Sequence, residues 1–307
     1  MGYGDLIKDT FRITLHNRYL WFFGLFAGTG FGGSFNFNFS TGDSGRGSNA
    51  TSAQDGFVPS LDAGLVIALI VAALVVLVLA IVLSVISQGA LADSVAAIDR
   101  GERRGFRTAW RAGLARFWPV LGQALLIGLV SLAAVLLVVG PLIGVVVAVF
   151  LTTEAVVARV LVTIGAGLIG LAAIVLIFVP VYIVAQLALR ELVLGATRVT
   201  AALRGGWQLF QRNPGRALLL FLIQQGLALG AAVVASIALV LVGVLLFLPT
   251  ILLAAAGAGT AAIAAGIGAG LIVLVLALPT FGAIGTFNHG YWTLAYLRLE
   301  PLPRQPG

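Results

Sequence analysis

Long uncharged apolar stretches alternate along this chain with short segments rich in arginine. The uncharged stretches cover residues 19–42, 63–92, 117–153, 160–189 and 217–297. A helix rises about 1.5 Å per residue and needs about 20 apolar residues to cross a bilayer. Each stretch is therefore long enough for one span, and the last is long enough for two. The pattern predicts an all-α polytopic membrane protein with six transmembrane helices.

The basic residues orient these helices. Of the 18 lysines and arginines, all but Arg46 and Arg159 fall in four clusters. The clusters are Lys8, Arg12 and Arg18; Arg100, Arg103, Arg104, Arg107, Arg111 and Arg116; Arg190, Arg198, Arg204, Arg212 and Arg216; and Arg298 and Arg304. By the positive-inside rule all four clusters are cytoplasmic. Two cytoplasmic clusters are joined by an even number of crossings, so we expect helical hairpins at 19–89, 119–189 and 217–297 and both termini in the cytoplasm.

The first expected span, from Tyr19 to Gly33, is short and glycine-rich toward its end. It could also be a re-entrant or interfacial segment. The charge pattern favours a span, because otherwise the cluster from Arg100 to Arg116 would lie outside or the apolar stretch 63–88 would fail to cross the membrane. We expect the segment to be retained, because charged residues such as Asp5 and Lys8 precede it and no signal-peptide cleavage site follows.

A short amphipathic segment precedes each expected hairpin. In the second, Phe106, Trp110 and Leu114 recur at helical spacing on one face, and Arg107 and Arg111 lie on the other. A helix of this kind lies in the membrane interface, with its arginines among the headgroups. We therefore expect one interfacial helix before each hairpin.

The same order of elements occurs three times in one integral membrane domain, residues 1–307. We expect pseudo-repeats at about 1–89, 90–189 and 190–298. Residues 28–60 are rich in glycine, serine and asparagine, and we expect them to form a flexible outer loop. Internal repeats are common in transport folds, but they also arise by duplication in proteins that transport nothing.

Composition agrees with a membrane environment. Hydrophobic residues make up 60% of the chain and charged residues 9%, and the mean hydropathy is +1.11. A water-soluble fold of this composition could not cover its apolar surface. The net charge of +7 is spread over four membrane-flanking clusters, so we expect the lipid bilayer and anionic lipid headgroups as partners, and no nucleic acid.

The chain carries no recognisable catalytic, metal-binding or cofactor-binding signature. It has no cysteine, and its two histidines, His16 and His289, are far apart in sequence. Its single lysine, Lys8, lies outside any phosphate-binding loop pattern. We therefore expect no catalytic residues, no bound metal and no cofactor.

Polar side chains inside the expected spans concentrate at one depth, close to the cytoplasmic clusters. They are Gln88, Gln123, Gln186, Gln224, Gln225, Asn288 and His289. One hypothesis is that they line a cavity open to the cytoplasm. The alternative is that they form hydrogen bonds between helices, each worth about 0.6 kcal/mol.

Two carboxylates, Asp93 and Glu191, occupy equivalent positions in the first two pseudo-repeats. They could act as a proton or cation pair. Alternatively, each forms an ion pair with a nearby arginine such as Arg190 at the headgroup level. Glu154 and Arg159, near the opposite end of the second hairpin, are expected to form a surface pair of little energetic value.

Three short segments carry a family resemblance. The stretch from Glu191 to Pro214, which ends in Asn213-Pro214, is similar to the bacterial membrane-domain family named for glycerophosphodiester phosphodiesterases. The segments from Asn17 to Trp21 and from Thr293 to Arg298 are similar to uncharacterised relatives of that family. The resemblance implies a bacterial inner-membrane protein. In that family the phosphodiesterase chemistry belongs to a separate soluble domain, so no catalytic residue is carried over.

The leading functional expectation is a non-enzymatic bacterial inner-membrane protein that assembles with or anchors another membrane component. That component is a partner membrane protein or a further copy of the chain. The alternative is a transporter or lipid-handling protein with a cytoplasm-facing polar cavity. An intramembrane enzyme ranks last, because the carboxylates and histidines form no acid–base pair.

Overall fold

The computed structural model describes residues 2–28 and 63–299, and the described residues fold into α-helices joined by short turns. In chain order the helices are α1 (Tyr3–His16), α2 (Leu20–Gly28), α3 (Ala63–Asp99), α4 (Phe106–Ala115), α5 (Phe117–Thr152), α6 (Val156–Leu194), α7 (Val199–Arg212), α8 (Pro214–Ala255) and α9 (Gly259–Leu299). The expected outer loop at 28–60 lies almost entirely outside the described residues.

Five helices in the described part of the chain are long and apolar enough to cross a membrane. They are α3, α5, α6, α8 and α9, with apolar spans of 34 to 42 residues. The all-α polytopic class predicted from the hydropathy pattern is therefore confirmed. Of the expected first span, Tyr19 to Gly33, the structure describes the nine-residue helix α2. The three expected amphipathic helices are present as α1, α4 and α7.

Burial divides the molecule into two regions. The base comprises α1, α2, α4 and α7 together with residues 80–99, 117–127, 178–194, 214–227 and 280–299 of the long helices. The arms are the remaining parts of those five helices. Almost every buried side chain lies in the base. In the described arms the buried residues are Gly170, Ala235, Ala262 and Ala269, which are small enough to be covered by a single neighbouring helix.

Small residues attach α4 and α7 to the base. Helix α4 buries Ala109 and Gly113, and α7 buries Ala202 and Gly206 at the same spacing of four. A Cβ atom on Gly113 would overlap the carbonyl oxygen of Ile86 on α3. On Gly206 it would lie 2.9 Å from the backbone nitrogen of Ala188 on α6. Small residues four apart let two helix backbones approach closely.

Helix α1 makes an equivalent contact with α9, where Gly290 faces Thr10. The packing pattern is therefore cyclic: α1 lies on α9, α4 on α3 and α7 on α6. Helices α4 and α7 thus contact the long helix that precedes each of them in the chain, and α1 contacts α9. This arrangement gathers all three amphipathic helices around one end of the bundle.

The closest helix crossing joins α2 to α9. Cβ atoms on Gly24, Gly282 or Gly285 would overlap backbone atoms of the opposite helix. The hydroxyl of Thr286 donates to the carbonyl oxygen of Leu20 over 2.9 Å at the same crossing. Only glycine permits such an approach, so these positions hold α2 against the centre of the base.

The long helices continue through their internal prolines without a break. Pro141, Pro180, Pro249 and Pro279 each lie inside a long helix. Helix α5 packs along α6, and α8 packs along α9. The turns that join them, at 153–155 and 256–258, lie at the far end of the arms.

Candidate functional site

The most unusual side chain in the base is Arg190. It lies on α6 with 0% of its surface exposed, and it is among the largest fully buried residues in the described chain. Tyr182 and Gln186 precede it at intervals of four residues, so the three side chains form one stripe on α6. Burial of an arginine is costly unless its hydrogen bonds are satisfied, and ionisable residues inside membrane bundles commonly mark functional sites.

Hydrogen bonds to carbonyl groups satisfy most of the Arg190 guanidinium. Its Nη1 donates to the backbone oxygen of Gln186 over 2.9 Å and also to the Gln186 side-chain Oε1. Its Nη2 donates to the backbone oxygen of His289 on α9 over 3.1 Å. Its Nε has no hydrogen-bond partner among the described residues. No ion pair in the described part of the chain includes Arg190, so this buried charge is held by dipoles alone.

Aromatic rings surround Tyr182, which lies two turns before Arg190 on the same stripe of α6. Tyr182 packs edge to face on Trp292 of α9, with 6.1 Å between ring centroids, and on Phe221 of α8, with 5.6 Å. The neighbouring Tyr291 donates its hydroxyl to the carbonyl oxygen of Leu220 over 3.1 Å. These contacts fix α6, α8 and α9 around the stripe, so the position of Arg190 is set by rigid helices rather than by loops.

His289 links the Arg190 region to α2. Its Nε2 lies 3.3 Å from the carbonyl oxygen of Ala27, and its own backbone oxygen accepts from both Arg190 and Thr293. The ring therefore holds α9 to α2.

Among the described residues, no group of three or more histidine, cysteine or acidic side chains could hold a metal ion.

Two of the polar residues identified from the sequence line a common cavity. Gln88 of α3 and Gln123 of α5 face a cavity of about 70 Å³ that also borders α6. Gln123 donates through Nε2 to the carbonyl oxygen of Ala185 over 2.9 Å, while its Oε1 has no protein partner. Gln88 donates to Ser84 over 3.2 Å. The cavity is polar on one side and large enough for a few water molecules.

The structure distributes the other five residues around the same level of the base. Gln186 and His289 bind Arg190, as described above. Gln224 is buried and Asn288 is partly buried, and the side-chain oxygen of each has no protein partner. Gln225 is exposed on α8. Of the seven residues, Gln88 and Gln123 are the two that line this cavity.

Asp93 and Glu191 have different partners. Asp93 lies 3.4 Å from Nη1 of Arg104. Glu191 accepts a hydrogen bond of 2.6 Å from the hydroxyl of Tyr296 on α9. The expected pairing of Glu191 with Arg190 does not occur, because the Arg190 side chain points into the base toward Gln186 and His289.

A chain of charged side chains connects the end of α3 with the turn between α3 and α4. Arg104 bridges Asp93 and Glu102, and Glu102 also binds Arg100 over 3.1 Å. The hydrogen bond from Arg100 is the main cause that lowers the pKa of the Glu102 carboxyl from its usual value. Because Glu102 and Arg100 are exposed, water and salt screen the pair they form, and it contributes little to stability.

Arg159 at the far end of the arms does not pair with Glu154 in the described structure. Instead, its Nε donates to the carbonyl oxygen of Thr153 over 2.7 Å, and its Nη2 donates to that of Phe150 over 3.1 Å. The guanidinium lies 5.3 Å from the centre of the Phe150 ring. These bonds satisfy carbonyl groups at the end of α5, where a helix leaves its last carbonyl groups without intrahelical partners.

Sequence reasoning missed Arg190 as an interior residue, because it follows an apolar span and precedes further arginines. The spacing of Tyr182, Gln186 and Arg190 was the available signal, since it places polar groups on one side of an otherwise apolar helix. The attachment of α4 and α7 was also missed. Its signal was the pair of small residues four apart, Ala109 with Gly113 and Ala202 with Gly206.

The fold and this buried polar base define an all-helical, multi-pass membrane protein. Residues 19–299 match the profile of the family of unknown function DUF7544, and the chain belongs to that family. No curated protein and no solved structure gives a significant match to the chain. The proposals below therefore rest on the sequence and the geometry.

Proposed function

We propose that this is a non-enzymatic bacterial inner-membrane protein that assembles with or anchors another membrane component. The observation that carries the proposal is the arm of α3. Every residue from Val66 to Leu79 is exposed, whereas the arms of α5 and α6 cover each other, as do those of α8 and α9. Over about 20 Å, α3 has no helix partner within the described residues.

The α3 arm has the composition of a helix–helix contact surface. Ala68 and Ala72 are four residues apart, the spacing that lets a second transmembrane helix approach. Between them lie branched side chains such as Ile70 and Val71, with 55% and 53% of their surfaces exposed. Helix association in lipid depends on such close packing, because lipid tails are as apolar as the side chains themselves.

Site-specific photo-crosslinking in intact membranes tests the assembly proposal. We would place a photoreactive side chain at Ala72 and, as a control, at Leu176 on the arm of α6, which is 76% exposed. We expect a protein adduct of defined mass from position 72, its loss when Ala68 is changed to Leu, and no such adduct from position 176. Equal crosslinking from both positions, or crosslinking to lipid alone, would exclude α3 as the contact surface.

The full topology is part of the same proposal. We infer six spans, with both termini and all four basic clusters in the cytoplasm, and α2 as the base of the first span. The cyclic packing of α1, α4 and α7 supports this topology and the three pseudo-repeats, because it places every amphipathic helix at one level. Cysteines introduced at positions 50 and 103 should be labelled from opposite sides of the membrane. Labelling of both from the same side would exclude six spans.

A transporter or lipid-handling role is the alternative. The cavity between Gln88 and Gln123 and the buried charge of Arg190 favour it, because both would be costly in a purely structural bundle. A saturable flux of a substrate into liposomes, reduced by Gln123→Leu, would support this alternative. The resemblance to the glycerophosphodiester phosphodiesterase membrane-domain family remains a proposal and adds no substrate.

A further inference from the structure

An apolar groove runs between the arms of α5 and α6. It is lined by side chains from Val139 to Val146 on α5 and from Thr163 to Ile174 on α6, and its volume is about 470 Å³. That volume lies within the range of about 300–1,000 Å³ of small-molecule sites. The groove exists because Ala166, Gly167 and Gly170 give the α6 wall little bulk.

The length and depth of the groove match one leaflet of a bilayer. From Thr163 to Ile174 the helix rises about 16 Å, half of a hydrocarbon core of about 30 Å. Ala188 marks the level of the amphipathic helix α7, because it contacts Gly206. From Ala188 to Arg159 the rise is about 43 Å, close to the full bilayer thickness of about 40–45 Å. The groove therefore lies in the leaflet opposite the amphipathic helices, and Arg159 lies at its headgroup level.

One positive and one negative side chain lie beyond the groove, toward the turn between α5 and α6. The carbonyl oxygens of Thr153 and Phe150 hold the Arg159 guanidinium in place. The hydroxyl of Thr163 donates to the backbone oxygen of Arg159 over 2.8 Å, so the backbone of Arg159 lies one turn from the end of the groove. Glu154 is exposed in the turn that joins α5 to α6. A cation and an anion at this level are complementary to a zwitterionic headgroup.

We propose that the groove holds one acyl chain of an amine-bearing zwitterionic phospholipid, with its phosphate on Arg159 and its ammonium group toward Glu154. The acyl chain fills the space between α5 and α6 that their own side chains do not occupy. Arg159 contributes a charge-assisted hydrogen bond to the phosphate. The site is separate from the α3 contact surface, and its occupancy does not depend on the assembly proposal.

Native mass spectrometry tests the site. The protein would be reconstituted in vesicles of phosphatidylethanolamine and phosphatidylglycerol in equal amounts, extracted in mild detergent and analysed for retained lipid. We expect one retained phosphatidylethanolamine per chain, and about a tenfold lower retention for Arg159→Gln, as the loss of one charged hydrogen bond implies. Equal retention of both lipids, or retention unaffected by Arg159→Gln, would overturn the proposal.

Two glycine variants separate the groove from the fold. A Cβ atom on Gly167 meets nothing within 4 Å, and the same is true of Gly165, which does not line the groove. Gly167→Leu should fill the groove and abolish phosphatidylethanolamine retention, while Gly165→Leu should retain the lipid. Both should unfold like the parent chain. Undiminished retention in Gly167→Leu, or equal loss in both variants, would show that the lipid does not occupy this groove.

Discussion

The base and the arms share the five long helices but are held together in different ways. In the base, helices approach through glycine, as Gly24 and Gly285 do, and hydrogen bonds such as those of Arg190 and Thr286 cross between helices. In the arms, large apolar side chains face outward and the few buried residues are glycine or alanine. The difference shows that the base determines which helices meet, whereas the arms need only remain apolar.

The base and the arms differ because the membrane-spanning helices are surrounded by lipid rather than by water. Within a bilayer, burial of a leucine against protein gains little over burial against lipid, so apolar surface alone does not choose a partner. Close backbone approach and interhelical hydrogen bonds do discriminate between partners, because they require matching positions on both helices. These features are concentrated in the base, so mutations there should have the larger effects.

The largest effect should come from the α2–α9 crossing. Gly285→Ala would place a methyl group against the carbonyl oxygen of Gly24, which forces the two backbones apart. We expect a loss of more than about 3 kcal/mol in the free energy of unfolding. Gly230→Ala, where nothing lies within 4 Å, should instead be neutral or stabilise by up to about 1 kcal/mol. Unfolding in mixed detergent micelles, followed by tryptophan fluorescence, measures both. Similar values for the two variants would contradict the difference between the regions.

Substitutions that disturb the packing of α4 and α7 on the base should have the next largest effect on stability. Gly113→Ala would overlap the carbonyl oxygen of Ile86, whereas a methyl group on Gly206 would lie at 2.9 to 3.1 Å from atoms of α6. We expect Gly113→Ala to cost about 2–3 kcal/mol and Gly206→Ala about 1 kcal/mol. Protease accessibility of the segments on either side of each helix would show whether it has detached. The reverse order would mean that α4 is held by its aromatic face instead.

Leucine-to-alanine substitutions at two positions on α6 test the difference in stability between the base and the arms directly. Leu187 in the base has 0% of its surface exposed and Leu176 in the arm has 76%. Leu187→Ala should lower the free energy of unfolding by about 2 kcal/mol, at the low end of the range for Leu→Ala. The loss is small because in the unfolded state the leucine side chain contacts lipid rather than water. Leu176→Ala should cost less than about 0.5 kcal/mol. The same unfolding assay applies, and equal costs would mean that the arms are packed against a partner.

A small effect on stability is expected for Arg190→Met, despite its central position. The change removes three hydrogen bonds but also a buried charge without a carboxylate partner, and these terms roughly cancel. We expect a change of less than about 1 kcal/mol in the free energy of unfolding. Arg190→Ala, which also leaves a cavity, should cost about 2–5 kcal/mol. If Arg190→Met is as destabilising as Arg190→Ala, the arginine is a structural element rather than a functional group.

The sequence predicted well those features that depend on the residues of one helix alone. The apolar stretches predicted the long helices, and the spacing of Phe106, Trp110 and Arg107 predicted α4. It was less informative about partners. Gln88 and Gln123 were grouped by their distance from the basic clusters, but their meeting at a cavity depends on how α3 and α5 cross. Arg190 was assigned to a surface cluster because its burial comes from α9, which lies about a hundred residues further along the chain.

Hydropathy and charge are local properties, so the sequence by itself determined that the chain is a polytopic helical membrane protein with amphipathic helices between its spans. The tertiary structure alone decided which residues meet. It places Gly24 on Gly285, turns Arg190 inward to His289 and leaves the arm of α3 without a helix partner among the described residues. In lipid, apolar side chains gain little by choosing one neighbour over another, so partners are set by the geometric fit of small residues and hydrogen bonds between distant segments.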